Sequence, residues 1–375
     1  MVDVQAVILA GGRGTRLRPV TVDLPKPLIP IANRPLISHQ LRHLAAAGVR
    51  DVTLALGYNA DQFDAVRDEA AELGLDLRLL VEPKPLGTGG ALRWCADQGA
   101  FDDRPLLWLN GDVVATPNVA GLHAIHEERH ALITFWLTSV RDVSEFGVLE
   151  LGPDDHVEQF LEKPTSEDTD SHLVNSGILM LDPKALDRVP PGRMFSFEQS
   201  LLPELVDERA GLYGLFDGGY WLDTGRPRHY LDANRHVLEG RVDWWPRGVL
   251  TQDGVWEGSN VSRAESLIIQ PAVVGNNVTI EPGAQLFGRV VLGDDVVVRE
   301  NAKLEDSVVF NGVEIGADAE VFNSVVCADA RIGPRSCLER SIIGARTTIG
   351  SRNVLRGTRL WSDVNVPDGA LVVDM

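Results

Sequence analysis

The chain has 375 residues, 44% of them hydrophobic and 24% charged, with a formal net charge of −19. That length fits two domains of a globular protein, and the acidic balance weighs against nucleic acid and anionic membrane surfaces, which ask for a basic footprint. No apolar run reaches the roughly eighteen residues of a membrane-spanning helix, and the first ten residues carry Asp3 and no basic stretch, so neither a membrane nor a secretory signal is expected and the location reads as cytoplasmic.

Residues 4–10 (VQAVILA) form a continuous apolar run ending in glycines, which predicts a buried strand. Directly after it comes Ala10-Gly-Gly-Arg-Gly-Thr-Arg-Leu-Arg-Pro19, then Leu24-Pro-Lys-Pro-Leu28. Such glycines permit close backbone approach and aim successive N–H groups at phosphate oxygens. The run is neither a P-loop nor a GxGxxG fingerprint, since Leu17 stands where the last glycine belongs. It is joined instead to Arg16 and to Lys26, which is held between two prolines. Only five lysines stand against thirty arginines, so each lysine raises the question of why arginine would not serve.

Helical stretches over 36–47 and 60–73 alternate with apolar runs at 52–56, 77–81 and 106–109. Buried strands separated by helices predict an α/β fold with a mainly parallel, Rossmann-like sheet and helices on both faces. Ligands then bind beyond the carboxyl ends of the strands. Two motifs fall at such ends: Glu82-Pro-Lys-Pro-Leu-Gly-Thr-Gly-Gly90 and Leu109-Asn-Gly-Asp112. Further along stand Phe146-Gly147-Val148, Glu162-Lys163-Pro164, Val174-Asn-Ser-Gly177 and Tyr220-Trp-Leu-Asp223-Thr-Gly-Arg-Pro227. His123, His126 and His130 sit at helical spacing and read as a solvated helix face, while Trp244 and Trp245 read as packing a linker. Cys95, Cys327 and Cys337 are too scattered for a disulfide framework or a zinc cage and read as small buried hydrophobes.

From residue 268 the pattern changes. Ile268, Val274, Ile280, Leu286, Leu292, Val298 and Leu304 fall six apart, and blocks beginning at Leu304, Val321, Leu338 and Leu355 then repeat every 17 residues. Gly275, Gly293, Gly316, Gly333, Gly344 and Gly350 each follow an apolar hexad position. This resembles the hexapeptide repeat of left-handed parallel β-helices, with three flat faces per coil and about six coils over 268–367. The expected division is a catalytic domain over 1–240, a linker over 241–265 and a β-helix over 266–375. Many such β-helices are acyltransferases with a histidine base, but all nine histidines lie at or before His236, so this one reads as a structural, oligomerising or regulatory module.

The motifs together resemble the sugar-1-phosphate nucleotidylyltransferases, whose signature GGxGTRLxPLTxxxPKP is matched by Gly11 to Pro27 with Val20 in place of leucine. The resemblance covers nearly the whole chain and, within the family, is strongest to the bacterial mannose-1-phosphate guanylyltransferases. It implies a nucleotide site at Leu9, Ala10, Gly11, Gly12, Gly14, Thr15, Glu82, Leu86, Gly87 and Thr88. It implies phosphate-directed catalytic roles for Arg16, Lys26 and Lys163. It implies a sugar-phosphate site at Gly111, Gly147, Glu162, Lys163 and Asn175, and Mg²⁺ held by Asp112 and Asp223. The implied reaction joins an NTP, with GTP favoured, to a sugar 1-phosphate, with mannose 1-phosphate favoured, and releases pyrophosphate; a homo-oligomer formed through the β-helix is expected. Family members that use UTP or dTTP carry a glutamine where this chain has Glu82; a carboxylate offers two acceptors to guanine's N1–H and 2-amino group, which is the basis for favouring GTP. The alternatives are thymidylyl, uridylyl or adenylyl transfer to glucose 1-phosphate or a related phosphate, and a catalytically silent nucleotide-sugar-binding subunit.

Overall fold

The structure is a computed structural model that describes residues 2–57, 60–165, 167–263 and 265–374. It divides into two compact units, Met1–Gly12 with Gln40–Trp221, and Arg13–His39 with Leu222–Met375.

The first unit is built on a nine-stranded sheet. Its parallel half runs Leu106–Asn110, Gln5–Leu9, Asp51–Leu56, Asp76–Val81, with Ile8 in register with Leu54 and Leu109. These are the four apolar runs expected from the sequence; Val7, Ile8, Leu54 and Leu107 are fully buried, as strands covered on both faces must be, whereas Asp76–Val81, at the sheet edge, contains no buried residue. Beyond Leu106–Asn110 the sheet turns antiparallel through Leu173–Leu181, Gly147–Leu151 and Val157–Glu162. Ile133–Ser139 also pairs with Leu173–Leu181, and Leu212–Leu215 runs parallel to it on the outside. The sheet is therefore mixed. Its antiparallel strands carry polar positions such as Glu158 and Gln159, which the search for continuous apolar runs passes over. Trp108 and Phe197 pack edge to face in the core at 4.9 Å.

The second unit is a three-faced parallel β-helix, its sheets holding eight, seven and seven strands. Leu286, Leu304, Val321, Leu338 and Leu355 pair in register from coil to coil and are fully buried. At one corner a Cβ on Gly275 would come within 2.5 Å of the Gly293 carbonyl carbon, so the stacked turns leave room only for glycine. Along another edge Ser307, Ser324 and Ser341 each accept, on Oγ, the backbone N–H of the residue one coil further on. The first coil begins at Val255–Glu257, inside the stretch the sequence assigns to a linker. Val255 and Val261 do face inward, but the step from Val261 to Ile268 is seven residues, which breaks the hexad phase and hides this coil.

The helix Pro227–Leu238 and the segment around residue 30 belong to this unit. Tyr230 Oη donates to the Pro30 carbonyl at 2.7 Å, the Ala32 N–H donates to Asn234 Oδ1 at 2.8 Å, and Asn33 Nδ2 donates to the Leu292 carbonyl at 2.5 Å. Trp244 is buried and stacks on His39 at 4.4 Å, whereas Trp245 stays 62% exposed, against the expectation that both pack inward. Cys95 and Cys327 are buried and free, and desolvation pushes both thiols up to about 12. Among the described residues no helix is long and apolar enough to cross a membrane.

Candidate active site

In the first unit the parallel strands present their carboxyl ends on one edge. The Ala10 N–H donates to the Ala55 carbonyl at 2.8 Å, the Gly111 N–H to the Leu9 carbonyl at 2.9 Å, and the Glu82 N–H to the Leu56 carbonyl at 2.7 Å. Leu9, Ala10, Gly11, Glu82, Gly111 and Asp112 therefore collect at this edge. A Cβ on Gly11 would lie 2.9 Å from Glu82 Oε1 and 3.3 Å from the Gly57 nitrogen, so the glycine lets the Glu82 carboxylate sit against the loop backbone. Glu82 Oε2 accepts the Leu86 N–H at 2.9 Å. Burial raises the Glu82 carboxyl above its ordinary range, and the Leu86 bond opposes the rise. One of the two oxygens that the sequence offers to a base edge is thus already engaged in closing its own turn.

Gly87 follows at φ +73, and a Cβ there would meet the Phe195 carbonyl at 2.7 Å. It opens the helix Gly87–Asp97. Thr88 is turned to a structural use: its hydroxyl donates to Glu198 Oε2 at 2.7 Å and accepts the Phe197 N–H at 3.0 Å. Asp112 occupies the turn between Leu106–Asn110 and Val113–Ala115. Gln40, which belongs to none of the motifs, bridges this turn by donating Nε2 to the carbonyls of Asn110 at 2.9 Å and Val113 at 3.1 Å. Its signal was a polar residue on the apolar face of a helix, among Ile37, Leu41 and Leu44, which are fully buried.

The sugar-directed residues share the antiparallel edge. Glu162 is in register with Gly147, and Val148, next to Gly147, pairs with Val174, next to Asn175. A Cβ on Gly147 would meet Phe160 at 2.6 Å and Glu162 Oε2 at 3.2 Å. Lys163, at φ +52, keeps its Nζ 3.6 Å from Glu162 Oε1. Asn175 Oδ1 accepts the Gly177 N–H at 3.0 Å at a bulge in its strand.

In the second unit a compact charged cluster forms. Gly14, at φ +56, precedes the turn Thr15–Leu17; a Cβ there would lie 3.2 Å from Lys26 Cβ, and its carbonyl accepts the Thr21 hydroxyl at 2.7 Å. Lys26 Nζ is 3.5 Å from Asp223 Oδ1, and Arg16 Nη2 is 3.8 Å from Asp223 Oδ2. Lys26 and Asp223 are buried, while the Arg16 side chain is 56% exposed. The Gly225 N–H donates to Asp223 Oδ1 at 2.9 Å, which fixes the carboxylate. Among the described residues no group of three or more His, Cys, Asp or Glu could hold a metal. Carboxylates such as those of Asp112 and Asp223 nevertheless suit Mg²⁺, a hard cation that takes one or two of them and draws its other ligands from phosphates and water. His126 departs from the expected solvated face: it is buried, its Nδ1 lies 3.0 Å from Thr134 Oγ1, and desolvation lowers its pKa.

The nucleotidyl transferase family pattern matches residues 5–240, and the GMPPB C-terminal domain pattern matches residues 268–375. A mannose-1-phosphate guanylyltransferase of Mycobacterium tuberculosis is 34% identical, the match covering 98% of this chain and 97% of that protein. A mannose-1-phosphate guanyltransferase of Schizosaccharomyces pombe is 32% identical over 84% of this chain and 98% of its own. Among solved structures, HddC from Yersinia pseudotuberculosis, complexed with GMP-PN, is similar at 28% identity with a TM-score of 0.53, over 62% of this chain and 99% of that one.

Proposed function

We propose, since the chain belongs to the nucleotidyl transferase family, that it transfers a guanylyl group from GTP to mannose 1-phosphate, giving GDP-mannose and pyrophosphate. The observation that carries the reading is the pairing of Arg16 and Lys26 around Asp223, which stocks the family's signature loop with the cations a polyphosphate needs. The names of relatives aligned over nearly the whole chain support guanine and mannose.

A phosphate oxygen of mannose 1-phosphate attacks the α-phosphorus of GTP in line. The new O–P bond forms as the bond to the β-phosphate oxygen breaks, and pyrophosphate leaves with the electron pair. The second pKa of a phosphomonoester is about 6, so the nucleophile is already largely dianionic at neutral pH and needs no general base. The barrier lies in bringing two polyanions together and in charge building on the leaving group. The glycine-loop amides of Gly11, Gly12, Gly14 and Thr15 cradle the triphosphate. Lys26 and Arg16, held against Asp223, turn toward the phosphates when these arrive, with Arg16 meeting the departing pyrophosphate. Lys163 neutralises the sugar phosphate, while Glu162 and Asn175 receive sugar hydroxyls, and the Gly147 backbone approaches the ring. Glu82 and the Leu86–Gly87 backbone face the base. Asp112 and Asp223 would each offer a carboxylate to Mg²⁺, which when bound would supply neutralisation of phosphate charge. The location is cytoplasmic and the β-helix is the oligomerising surface.

The test is direct synthesis. Purified chain with GTP, mannose 1-phosphate and Mg²⁺ should accumulate GDP-mannose, separable by anion-exchange chromatography; folded protein that forms none would overturn the assignment.

A further inference from the structure

The second unit holds a cavity of about 1010 Å³ between the helix Pro227–Leu238 and the eight-stranded face of the β-helix. Its floor is laid by register: Val325 pairs with Ile342, and Ile342 with Arg359, on successive strands. The volume stands at the upper end of the roughly 300–1,000 Å³ range of small-molecule sites. Six arginines line it, Arg16, Arg226, Arg228, Arg235, Arg340 and Arg359, against one carboxylate, Asp232, among the described lining residues.

So dense a cationic lining is unexpected in a chain of net charge −19. Some of it is compensated: Arg235 pairs with Asp232 at 3.2 Å and Asp306 at 3.4 Å, and Arg340 with Glu339 at 3.4 Å. The side chains of Arg228 and Arg359 make no hydrogen bond or ion pair among the described residues. The same wall carries the first turn of a 12-residue helix that has no side-chain N-cap, so its dipole adds positive potential where Arg228 stands. The Arg228 and Arg359 guanidinium groups, one from the helix's first turn and one from the sheet face, match phosphate geometry and neutralise no carboxylate.

We propose that this cavity is a second binding site, sharing only Arg16 with the proposed catalytic cluster, for a small molecule carrying a diphosphate or several phosphoryl groups. Arg16 lines one wall and also contacts Asp223, so an anion bound here draws on a cation of the proposed catalytic cluster and modulates turnover through it. This modulation rests on the proposed reaction; anion capture does not. The ligand is either the reaction's own pyrophosphate or nucleoside diphosphate sugar, or an unrelated phosphorylated compound.

The experiment is calorimetric titration of the full chain and of an Arg228→Ala/Arg359→Ala double variant with pyrophosphate, GDP-mannose and a sugar bisphosphate. Neither arginine neutralises a carboxylate, so the variant should fold and keep its turnover in the absence of added anion. Wild type should show one binding event more than the variant for at least one ligand, weakening as salt rises. The ligand that loses it identifies the source. Identical isotherms for both proteins with all three ligands would overturn the proposal. So would a change in sedimentation of the variant without loss of an anion site, because the face would then be covered by a second copy. Turnover failing in wild type while the extra binding event persists would reject the catalytic reading alone.

Discussion

Two cations meet Asp223 from different environments, and substitution should tell them apart. Lys26 and Asp223 are both buried, so Lys26→Ala leaves the Asp223 carboxylate only the Gly225 N–H and the half-exposed Arg16, and should cost up to about 3–5 kcal/mol of stability together with activity. Arg16 is 56% exposed, and its ion pair is worth at most about 1 kcal/mol. Arg16→Ala should therefore melt close to wild type and still lose roughly a hundredfold in turnover, the scale of one lost electrostatic contact to a developing charge. Thermal unfolding and steady-state kinetics on the same preparations decide it; equal stability losses in the two variants would contradict the asymmetry. Asp112→Asn is the cleaner probe of the cation site, because Asp112 lies in a turn outside that buried pair, and it should also cut turnover about a hundredfold.

The proposed base preference rests on Glu82. As an ionised acceptor it favours guanine's two donors, and it opposes the carbonyls of uracil or thymine at a cost of about 1–3 kcal/mol. Glu82→Gln should thus erase a roughly ten- to hundredfold preference for GTP over UTP or dTTP. Its carboxyl is raised by burial, so it takes up a proton at higher pH than a free glutamate would. The preference should decline as pH falls through that raised value, while the Gln variant stays flat. The linkage to stability has the opposite sense: the folded state binds this proton more tightly, so this group's contribution weakens as pH rises through the same window. A preference unchanged in the variant would remove Glu82 from base recognition and leave it only its bond to Leu86.

At the level of elements, the turn before the helix Gly87–Asp97 is set by one residue without a side chain. Alanine at Gly87 would take a left-handed conformation that costs roughly 1–2 kcal/mol, and would also press on the Phe195 carbonyl. Denaturant unfolding of Gly87→Ala should show at least that loss, with a weakened affinity for GTP; an unaltered midpoint would mean that the turn tolerates a Cβ. Strand ends were legible because continuous apolar runs stop at glycines, as residues 5–9 do before Gly11, and the hexads were legible because one inward residue per face recurs without interruption from Ile268. Antiparallel strands such as Val157–Glu162 were not, since half-exposed strands mix polar and apolar residues. Thr88 read as a ligand because it lies within a binding motif, yet its hydroxyl fastens Glu198 and Phe197. No motif exposes a contact with residues so distant in the chain. Gln40 and His126 escaped for a related reason: each is a polar residue on a buried helix face, and its partner is a strand-end carbonyl or a strand hydroxyl elsewhere.

For the whole molecule, the β-helix supports the cluster around Asp223. From sequence, a cut near residue 240 removes only a tail that carries no proposed catalytic residue. In the structure the segment bearing Arg16 and Lys26 and the helix after Asp223 are fastened to the coils through Asn33 to Leu292, Arg235 to Asp306 and Arg289 to Glu239. A fragment ending at 240 should therefore lose the Arg16–Lys26–Asp223 cluster's support and turn over far more slowly than the full chain, even if soluble. Activity near that of the full chain would show that the cluster stands without the coils. The central claim, guanylyl transfer to mannose 1-phosphate, is tested most directly by pyrophosphate release measured over a grid of GTP, ATP, UTP and dTTP against mannose and glucose 1-phosphates. The account predicts the highest kcat/KM for GTP with mannose 1-phosphate, about tenfold or more above UTP or dTTP with either sugar. A maximum at dTTP or UTP with glucose 1-phosphate would contradict it.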